Sequence, residues 1–157
     1  MPPKESRQRR KLKVKVVPLA MEHLDAVMEI EQEAFTTPWL RDSFVKLLEN
    51  PATINFVALN AGRVVGYSCT WFVIDSAELG NIAVSSACQG QGVGRCLMDI
   101  TMRACRRQNV ESLFLEVRSS NSRAVELYEH YGFSSIGLRP GYYSDPREDA
   151  LIMKLKL

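Results

Sequence analysis

The stretch with the clearest chemical meaning is a group of glycines that separates two apolar segments. Gly90, Gly92 and Gly94 follow the apolar residues 82–84 and come directly before a stretch with helical spacing. Glycines let the backbone approach a ligand closely and turn its N–H groups toward it, and the N-terminus of a following helix adds partial positive charge. The arrangement predicts a binding site for a phosphate or pyrophosphate group. The alternative is that the glycines only shape a turn.

Two other phosphate-binding patterns do not match this stretch. A Walker loop requires Lys and then Ser or Thr after its last glycine, and Gly94 is followed by Arg95 and Cys96. The dinucleotide-binding pattern requires a third glycine at the position that Arg95 occupies. The pattern that is present is Gln-x-x-Gly-x-Gly, formed by Gln89, Gly92 and Gly94.

Glu116 and Tyr128 carry reactive groups in apolar surroundings. The alternation of residues 112–117 predicts a strand with Glu116 and Arg118 on one face and apolar residues on the other. A carboxylate there is either paired with an arginine such as Arg118 or kept for function. Tyr128 falls on the inward stripe of a predicted helix, where spacing alone makes it a core aromatic. A buried phenol still needs a hydrogen-bond partner, and a cofactor sulfur would supply one.

The cysteines and histidines do not form a metal-binding pattern. The cysteines contain no Cys-x-x-Cys pair, and only two histidines, His23 and His130, could complete a zinc site. We therefore expect no metal, and reduced thiols in a cytoplasmic protein. The four cysteines are Cys69, Cys88, Cys96 and Cys105.

The length and charge distribution indicate one domain with a basic leader. The chain has 157 residues, enough for one domain, and lacks both a long apolar run that could span a membrane and a secretory signal. Residues 1–15 contain seven basic side chains and one acid, so the remainder has 13 basic and 17 acidic residues, a net charge of −4. We assign residues 1–12 to a flexible leader and 13–157 to the domain. The leader is either a solvated segment or an arm that docks on RNA or another polyanion.

Hydrophobic periodicity predicts an α/β domain of seven strands and four helices. The predicted strands are residues 13–18, 54–59, 64–74, 78–84, 112–117, 133–138 and 150–157. The predicted helices are residues 21–35, 39–48, 93–107 and a segment capped by Asn121 that ends at residue 131. The inward residues of the first helix are expected to be Leu24, Val27, Met28, Ala34 and Phe35, and those of the second Leu40, Phe44, Leu47 and Leu48. The hairpins and crossovers in this order predict a mixed, mostly antiparallel sheet.

Five motifs in one order resemble those of the GNAT family of acetyltransferases, and most closely its RimI-type branch, which acetylates the N-terminal alanine of ribosomal proteins. The resemblance runs from about residue 14 to the C-terminus. Besides the glycine pattern, its supports are Asn-Ile-Ala-Val at 81–84, Leu-Glu-Val-Arg at 115–118, Tyr-Gly-Phe at 131–133 and Glu-Asp-Ala at 148–150. It implies the GNAT fold and acetyl-coenzyme A as co-substrate.

The resemblance also implies roles for individual residues. It assigns the general base to Glu116 and the general acid to Tyr128. It places the acceptor's N-terminus between two loops that contain Phe35, Pro38, Trp39, Tyr142 and Tyr143. The cofactor-binding residues that it implies are Ile82, Ala83, Val84, Gln89, Gly90, Gln91, Gly92, Val93, Gly94, Arg95 and Asn121.

The expected acceptor is the N-terminal α-amine of a protein, with a ribosomal protein as the partner. Deprotonating an α-amine of pKa near 7.8 at pH 7 costs about 1 kcal/mol, against roughly 4.6 kcal/mol for a lysine. One carboxylate is therefore adequate for an α-amine and marginal for a lysine. The alternatives are a GNAT enzyme for a lysine side chain or a small-molecule amine, and a non-catalytic module that binds acyl-coenzyme A.

Overall fold

Alternating apolar and polar residues form seven strands in residues 10–157, the part of the chain that the computed structural model describes. The strands include two long hairpins, whose β-branched and aromatic side chains suit a pleated, half-buried surface. The strands are β1 (Lys15–Pro18), β2 (Thr53–Asn60), β3 (Arg63–Val73), β4 (Ser76–Val84), β5 (Ser112–Arg118), β6 (Ser134–Ser144) and β7 (Arg147–Lys156).

Four α-helices form where apolar residues recur at helical spacing. The longest, α3, carries Arg106 and Arg107 in its last turn, where the negative end of the helix dipole stabilises positive charge. The helices are α1 (Leu24–Ala34), α2 (Arg41–Glu49), α3 (Val93–Arg107) and α4 (Ser122–His130). The element order is the predicted one.

The strands form one sheet in the order β1-β2-β3-β4-β5-β7-β6. β4 and β5 run parallel, and all other neighbouring strands in this sheet run antiparallel. The crossover that joins β4 to β5 contains α3, as a parallel connection requires. The predicted mixed, mostly antiparallel sheet is confirmed.

A gap opens in the sheet where β4 and β5 part. Their pairing ends at Leu79 and Leu115, although both strands continue. The register of β4 against β3 shifts at this level, with Gly80 as the extra residue. A β-bulge bends its strand and increases the local twist. The bulge thus directs residues 81–84 away from β5.

Helices cover both faces of the sheet. On one face Tyr67 and Cys69 of β3 pack with the buried residues of α1 and α2. On the other face Ser68 meets Thr101 of α3 through their hydroxyls, 3.3 Å apart. The sheet is therefore the middle layer, and the gap between β4 and β5 opens within it.

Two local expectations are wrong. Tyr142 and Tyr143 do not lie in a loop, because β6 continues to Ser144 and only residues 145 and 146 separate it from β7. Leu40 does not face inward. It is 74% exposed as the N-cap of α2, which begins at Arg41.

Residues 10–12, which we had assigned to the leader, lie against the glycine loop. The backbone N–H of Leu12 donates to the carbonyl oxygen of Gln91 at 2.9 Å. The Leu12 side chain packs against the cluster that contains Val93 and Leu97. The rest of the leader, residues 1–9, and the predicted polyanion contact lie outside the described residues. In the described part, no helix combines the length and apolar character needed to cross a membrane.

Candidate active site

The loop before α3 presents its backbone to a cleft. Gly90 and Gly92 have φ angles of 73° and 86°, a region that other residues rarely adopt. Gly92 is also the N-cap of α3, and without a side chain it cannot cap the helix's first N–H groups. These groups and the helix dipole favour an anion at this place.

The cleft beside this loop has a volume of about 600 Å³ and is bounded by β4, α3 and α4. Ten of the eleven predicted cofactor residues line it, namely Ile82, Ala83, Val84, Gln89, Gly90, Gly92, Val93, Gly94, Arg95 and Asn121. Gln91 does not line it, since its side-chain amide donates to the carbonyl oxygen of Ala87 at 3.3 Å.

Residues 82–84 and the glycine loop offer backbone groups to a ligand in this cleft. Residues 81–84 have β3 on one side, and no strand of the described sheet pairs with them on the other. An extended chain with amide groups can pair with such an edge as an added strand would. The glycine loop can bind a phosphate or pyrophosphate group at the end of this edge.

Asn121 shapes the opposite wall of the cleft. Its side-chain oxygen accepts a hydrogen bond from the N–H of Ala124 at 3.3 Å, so the predicted N-cap is confirmed. Arg123, in the first turn of α4, donates to Gln89 Oε1 at 3.1 Å. This contact joins α4 to the glycine loop across the cleft.

A second cleft, of about 450 Å³, meets the first at the gap between β4 and β5. Glu116 and Glu78 lie in this second cleft. The residues that line both clefts are Phe35, Ile82, Asn121, Ala124 and Tyr128. A ligand in the first cleft therefore ends where a ligand in the second begins.

Glu116 pairs with a different arginine from the one expected. Its Oε1 lies 2.9 Å from Nε of Arg139, a half-exposed residue of β6. Arg118 instead lies 3.4 Å from the Glu148 carboxylate. Glu116 also hydrogen bonds with Tyr142, which is the main cause of a raised pKa of that phenol. The carboxylate thus faces the second cleft between a cation and a hydroxyl.

Tyr128 lies in the wall shared by the two clefts. Its ring is 7% exposed and packs 5.7 Å from the ring of Phe133. Burial raises the pKa of the Tyr128 hydroxyl, and the neighbouring Tyr143 adds to the effect. The hydroxyl therefore keeps its proton at neutral pH and can donate it to a developing anion.

Arg118 ties together the two segments above the second cleft. Its guanidinium donates to the carbonyl oxygens of Pro146 and Asp145, each at 2.9 Å, and to Thr36 Oγ1 at 3.3 Å. It also lies 4.3 Å from the centre of the Tyr143 ring. Arg118 thus connects the α1–α2 loop to the β6–β7 turn beside the second cleft.

Four of the five predicted acceptor-binding residues line the second cleft, and Pro38 is the exception. The four residues are Phe35, Trp39, Tyr142 and Tyr143. The rings of Tyr142 and Tyr143 lie 5.1 Å apart and nearly perpendicular. Burial raises the pKa of Tyr143 to about 12.

Sequence reasoning missed Glu31, which is 1% exposed and also lines this cleft. Its spacing from Leu24 and Val27 places it on the inward face of α1, so a charged residue at an inward position was the available signal. Ala34, which we had expected to be inward, is exposed and borders the first cleft instead.

The cysteines are dispersed over the fold. Cys69 is buried, and burial raises the pKa of its thiol; burial raises the pKa of Cys105 to about 11. Both thiols are therefore weak nucleophiles at neutral pH. Residues 10–157 contain no group of three or more side chains arranged to hold a metal ion.

Comparison with known proteins shows which family and which relatives this chain resembles in sequence. The family model described as "Acetyltransferase (GNAT) family" matches residues 24–133. A relative from Bacillus subtilis (strain 168), provisionally named a ribosomal protein bS18-alanine N-acetyltransferase, is 41% identical over 144 residues, 91% of this chain and 95% of the relative. The enzyme of that name from Escherichia coli (strain K12) is 38% identical over 136 residues, 85% of this chain and 91% of the relative.

Solved structures agree with this relationship. The crystal structure of the ribosomal-protein-S18-alanine N-acetyltransferase from Escherichia coli superposes with a TM-score of 0.85 at 36% identity, covering 92% of this chain and 94% of that one. Ard1 from Thermoplasma volcanium also has a TM-score of 0.85, at 28% identity, covering 92% and 97%.

Proposed function

Because this chain belongs to the GNAT family of acetyltransferases, we propose that it acetylates the N-terminal α-amine of a ribosomal protein with acetyl-coenzyme A. The observation that carries the proposal is the meeting of two clefts at Tyr128. One cleft suits the cofactor, and the other contains Glu116. The curated relatives named for bS18-alanine acetylation favour an N-terminal alanine as the acceptor.

The first cleft would hold the cofactor with backbone groups and few side chains. The edge of Ile82, Ala83 and Val84 would pair with the pantetheine amides, and the N–H groups from Gly90 to Arg95 would bind the pyrophosphate. Bound in this way, acetyl-coenzyme A supplies an activated acyl group whose leaving group is a thiolate. The residues of the second cleft then act on the acceptor.

Glu116 would remove the proton that the α-amine must lose, either directly or through a water molecule. The amine's lone pair bonds to the acyl carbon, the carbon–sulfur bond breaks, and the electron pair leaves on sulfur. The Glu116–Arg139 pair keeps the carboxylate in place on the floor of the cleft. Because neutralising an α-amine at pH 7 costs only about 1 kcal/mol, a carboxylate that is held by an arginine can still serve.

Tyr128 would protonate the leaving sulfur. Because Tyr128 lines both clefts, its hydroxyl would lie near the thiol end of the bound cofactor, and its raised pKa keeps the proton available. Cys69 and Cys105 are buried with raised thiol pKa values, and neither Cys88 nor Cys96 lines the cleft that contains Glu116. We therefore propose direct attack by the amine, without an acyl-enzyme.

The acceptor's first residues would lie in the second cleft, next to the α1–α2 loop and the β6–β7 turn. Phe35, Trp39, Tyr142 and Tyr143 would contact them, with Pro38 shaping the loop. We place this reaction in the cytoplasm, where ribosomal proteins are made. Residues 1–9, outside the described part, would contact RNA or another polyanion on the assembled substrate.

The proposal is tested with peptides that carry a free N-terminal alanine, measuring the release of coenzyme A thiol. We expect Glu116→Gln to lower kcat by about 10²- to 10⁴-fold with unchanged affinity for acetyl-coenzyme A. Activity should partly recover above pH 8, where an α-amine is already neutral. Tyr128→Phe should lose activity in the same range without recovery, because it removes the acid rather than the base.

Two variants control for nonspecific effects. Glu129→Gln changes an exposed carboxylate of α4 and should keep full activity. Tyr131→Phe removes hydrogen bonds to Asp99 and to the carbonyl of Arg95, so it should lower stability and leave kcat unchanged. Normal rates in both active-site variants would refute the catalytic assignment. Normal rates in Glu116→Gln alone would assign the base to another carboxylate such as Glu78.

A further inference from the structure

Glu31 is a buried carboxylate that the proposed chemistry does not use. It belongs to α1 and lines the second cleft. In residues 10–157 it takes part in no ion pair. Removing a carboxylate from water without a cation is costly unless hydrogen-bond donors replace the water.

Donors from three elements surround this carboxylate. Trp39 donates its backbone N–H to Oε1 at 2.9 Å, and Asn81 of β4 donates its side-chain amide to both oxygens at 3.0 Å. The hydroxyl of Tyr67 in β3 donates to Oε2. Burial, together with the nearby Glu31, raises the pKa of Tyr67, which keeps this hydroxyl a donor.

Glu31 holds both ends of the loop between α1 and α2. Its main-chain carbonyl accepts from the N–H of Phe35 at 3.0 Å, where the loop begins. Its side chain accepts from the N–H of Trp39, where the loop ends. Only the second bond depends on the identity of the side chain at position 31.

The rings at the two ends of this loop line the second cleft. The Trp39 ring lies 6.2 Å from the Trp71 ring and 5.4 Å from that of Phe44. Phe35 borders both clefts. A shift of the loop would therefore move two aromatic walls of the acceptor site.

We propose that Glu31 is a positioning residue for the acceptor: its carboxylate fixes the α1–α2 loop, and thereby the Phe35 and Trp39 rings, against the incoming chain end. This inference rests on the proposed function, since the acceptor is the peptide N-terminus. The proposed role of Glu31 differs from that of Glu116, which would contact the amine. It also differs from that of the glycine loop, which lies in the other cleft.

Three variants test the role. Glu31→Leu keeps much of the volume and removes every acceptor, and Glu31→Gln retains an oxygen for the Trp39 N–H. Tyr67→Phe removes one donor to Glu31 and leaves the loop's own bond intact. We expect Glu31→Leu to raise the KM for the alanine peptide about tenfold, with the Kd for coenzyme A within twofold of the wild type. Glu31→Gln should restore most of the KM, and Tyr67→Phe should lower Tm without changing KM.

A purely structural role would give another pattern. A KM for Glu31→Leu within twofold of the wild type would overturn the proposal. So would a rise in KM that follows the loss of Tm across all three variants. If the leucine variant does not fold, Glu31→Ala takes its place in the same comparison.

Fluorescence gives a readout that does not need turnover. The chain contains two tryptophans, so Trp71→Phe leaves Trp39 as the single reporter. In that background Glu31→Leu should increase acrylamide quenching of Trp39, and unchanged quenching would overturn the inference. A wild-type enzyme that is inactive on every N-terminal peptide would instead refute the proposed function, and the quenching result would still decide the role of Glu31 in the loop.

Discussion

Replacing Gly92 with valine separates backbone strain from loss of cofactor binding, because the chain offers a matched position. Gly92 has a φ of 86° and Gly62, in the β2–β3 turn, has a φ of 80°. A Cβ on Gly62 would have nothing within 4 Å, and one on Gly92 would meet only the Lys11 side chain, at 3.4 Å. Both valine variants therefore incur the same kind of backbone strain with little steric conflict inside the protein.

The expected losses of thermal stability and of coenzyme A affinity follow from this geometry. A non-glycine residue in the left-handed region costs about 1–2 kcal/mol, which for a domain of this size lowers Tm by about 2–8 °C. Both variants should show this loss. Only Gly92→Val changes the loop whose N–H groups, under the proposed function, would bind the pyrophosphate. Losing one hydrogen bond to a charged group, worth about 1.5–3 kcal/mol, should weaken coenzyme A binding about 10- to 150-fold.

Titration calorimetry with coenzyme A, together with thermal unfolding of the same samples, measures both effects. Gly62→Val should bind coenzyme A as the wild type does. If Gly92→Val also binds with wild-type affinity while folded, the glycine loop is not the pyrophosphate site. If both variants lose affinity equally, the loss reflects general destabilisation.

Two further predictions concern the thiols and the acid stability of the fold. Single replacement of each cysteine by alanine should leave turnover intact, because the proposed mechanism is direct attack by the amine. A folded variant that loses turnover, with acetyl-cysteine trapped in the wild type, would contradict this. Hydrogen bonds from Ser120 hold the pKa of Glu148 below its usual value. The ionised Glu148 therefore contributes fully to stability above its unfolded-state pKa of about 4.3. This contribution disappears as the pH falls through the lower pKa of the folded state. Urea unfolding from pH 6 to 3 should show a smaller acid-induced loss of unfolding free energy in Glu148→Gln than in the wild type, and parallel curves would rule the effect out.

Local sequence patterns were sufficient to predict the elements whose ends depend on nearby residues. The predicted bounds of α3 are the observed ones, because a glycine loop precedes it and its apolar spacing is regular. The N-cap role of Asn121 also follows from the three residues after it. The apolar alternation of β5 correctly placed Leu113, Leu115 and Val117 on the buried face.

Contacts set by strand register could not be predicted in this way. Arg139 reaches Glu116 across β7, where Ala150 pairs with Arg139 on one side and with Arg118 on the other. Arg118 lies two residues from Glu116 on the same face of β5 and was therefore the natural candidate from alternation alone. Glu31 was missed for a related reason: its donors come from the α1–α2 loop, β3 and β4, and only the folded sheet brings them together.

The contact between Leu12 and Gln91 links the described end of the leader to the glycine loop. The Leu12 N–H is bonded to the carbonyl oxygen of Gln91, one residue before Gly92. A partner that binds the leader and displaces Leu12 would change the free energy of the glycine loop, and with it the affinity for coenzyme A. Thermodynamic linkage makes the effect reciprocal, so cofactor occupancy would alter the leader's affinity for its partner by the same factor. The leader and the cleft would then behave as two coupled binding sites, with the bond at Leu12 as the coupling element.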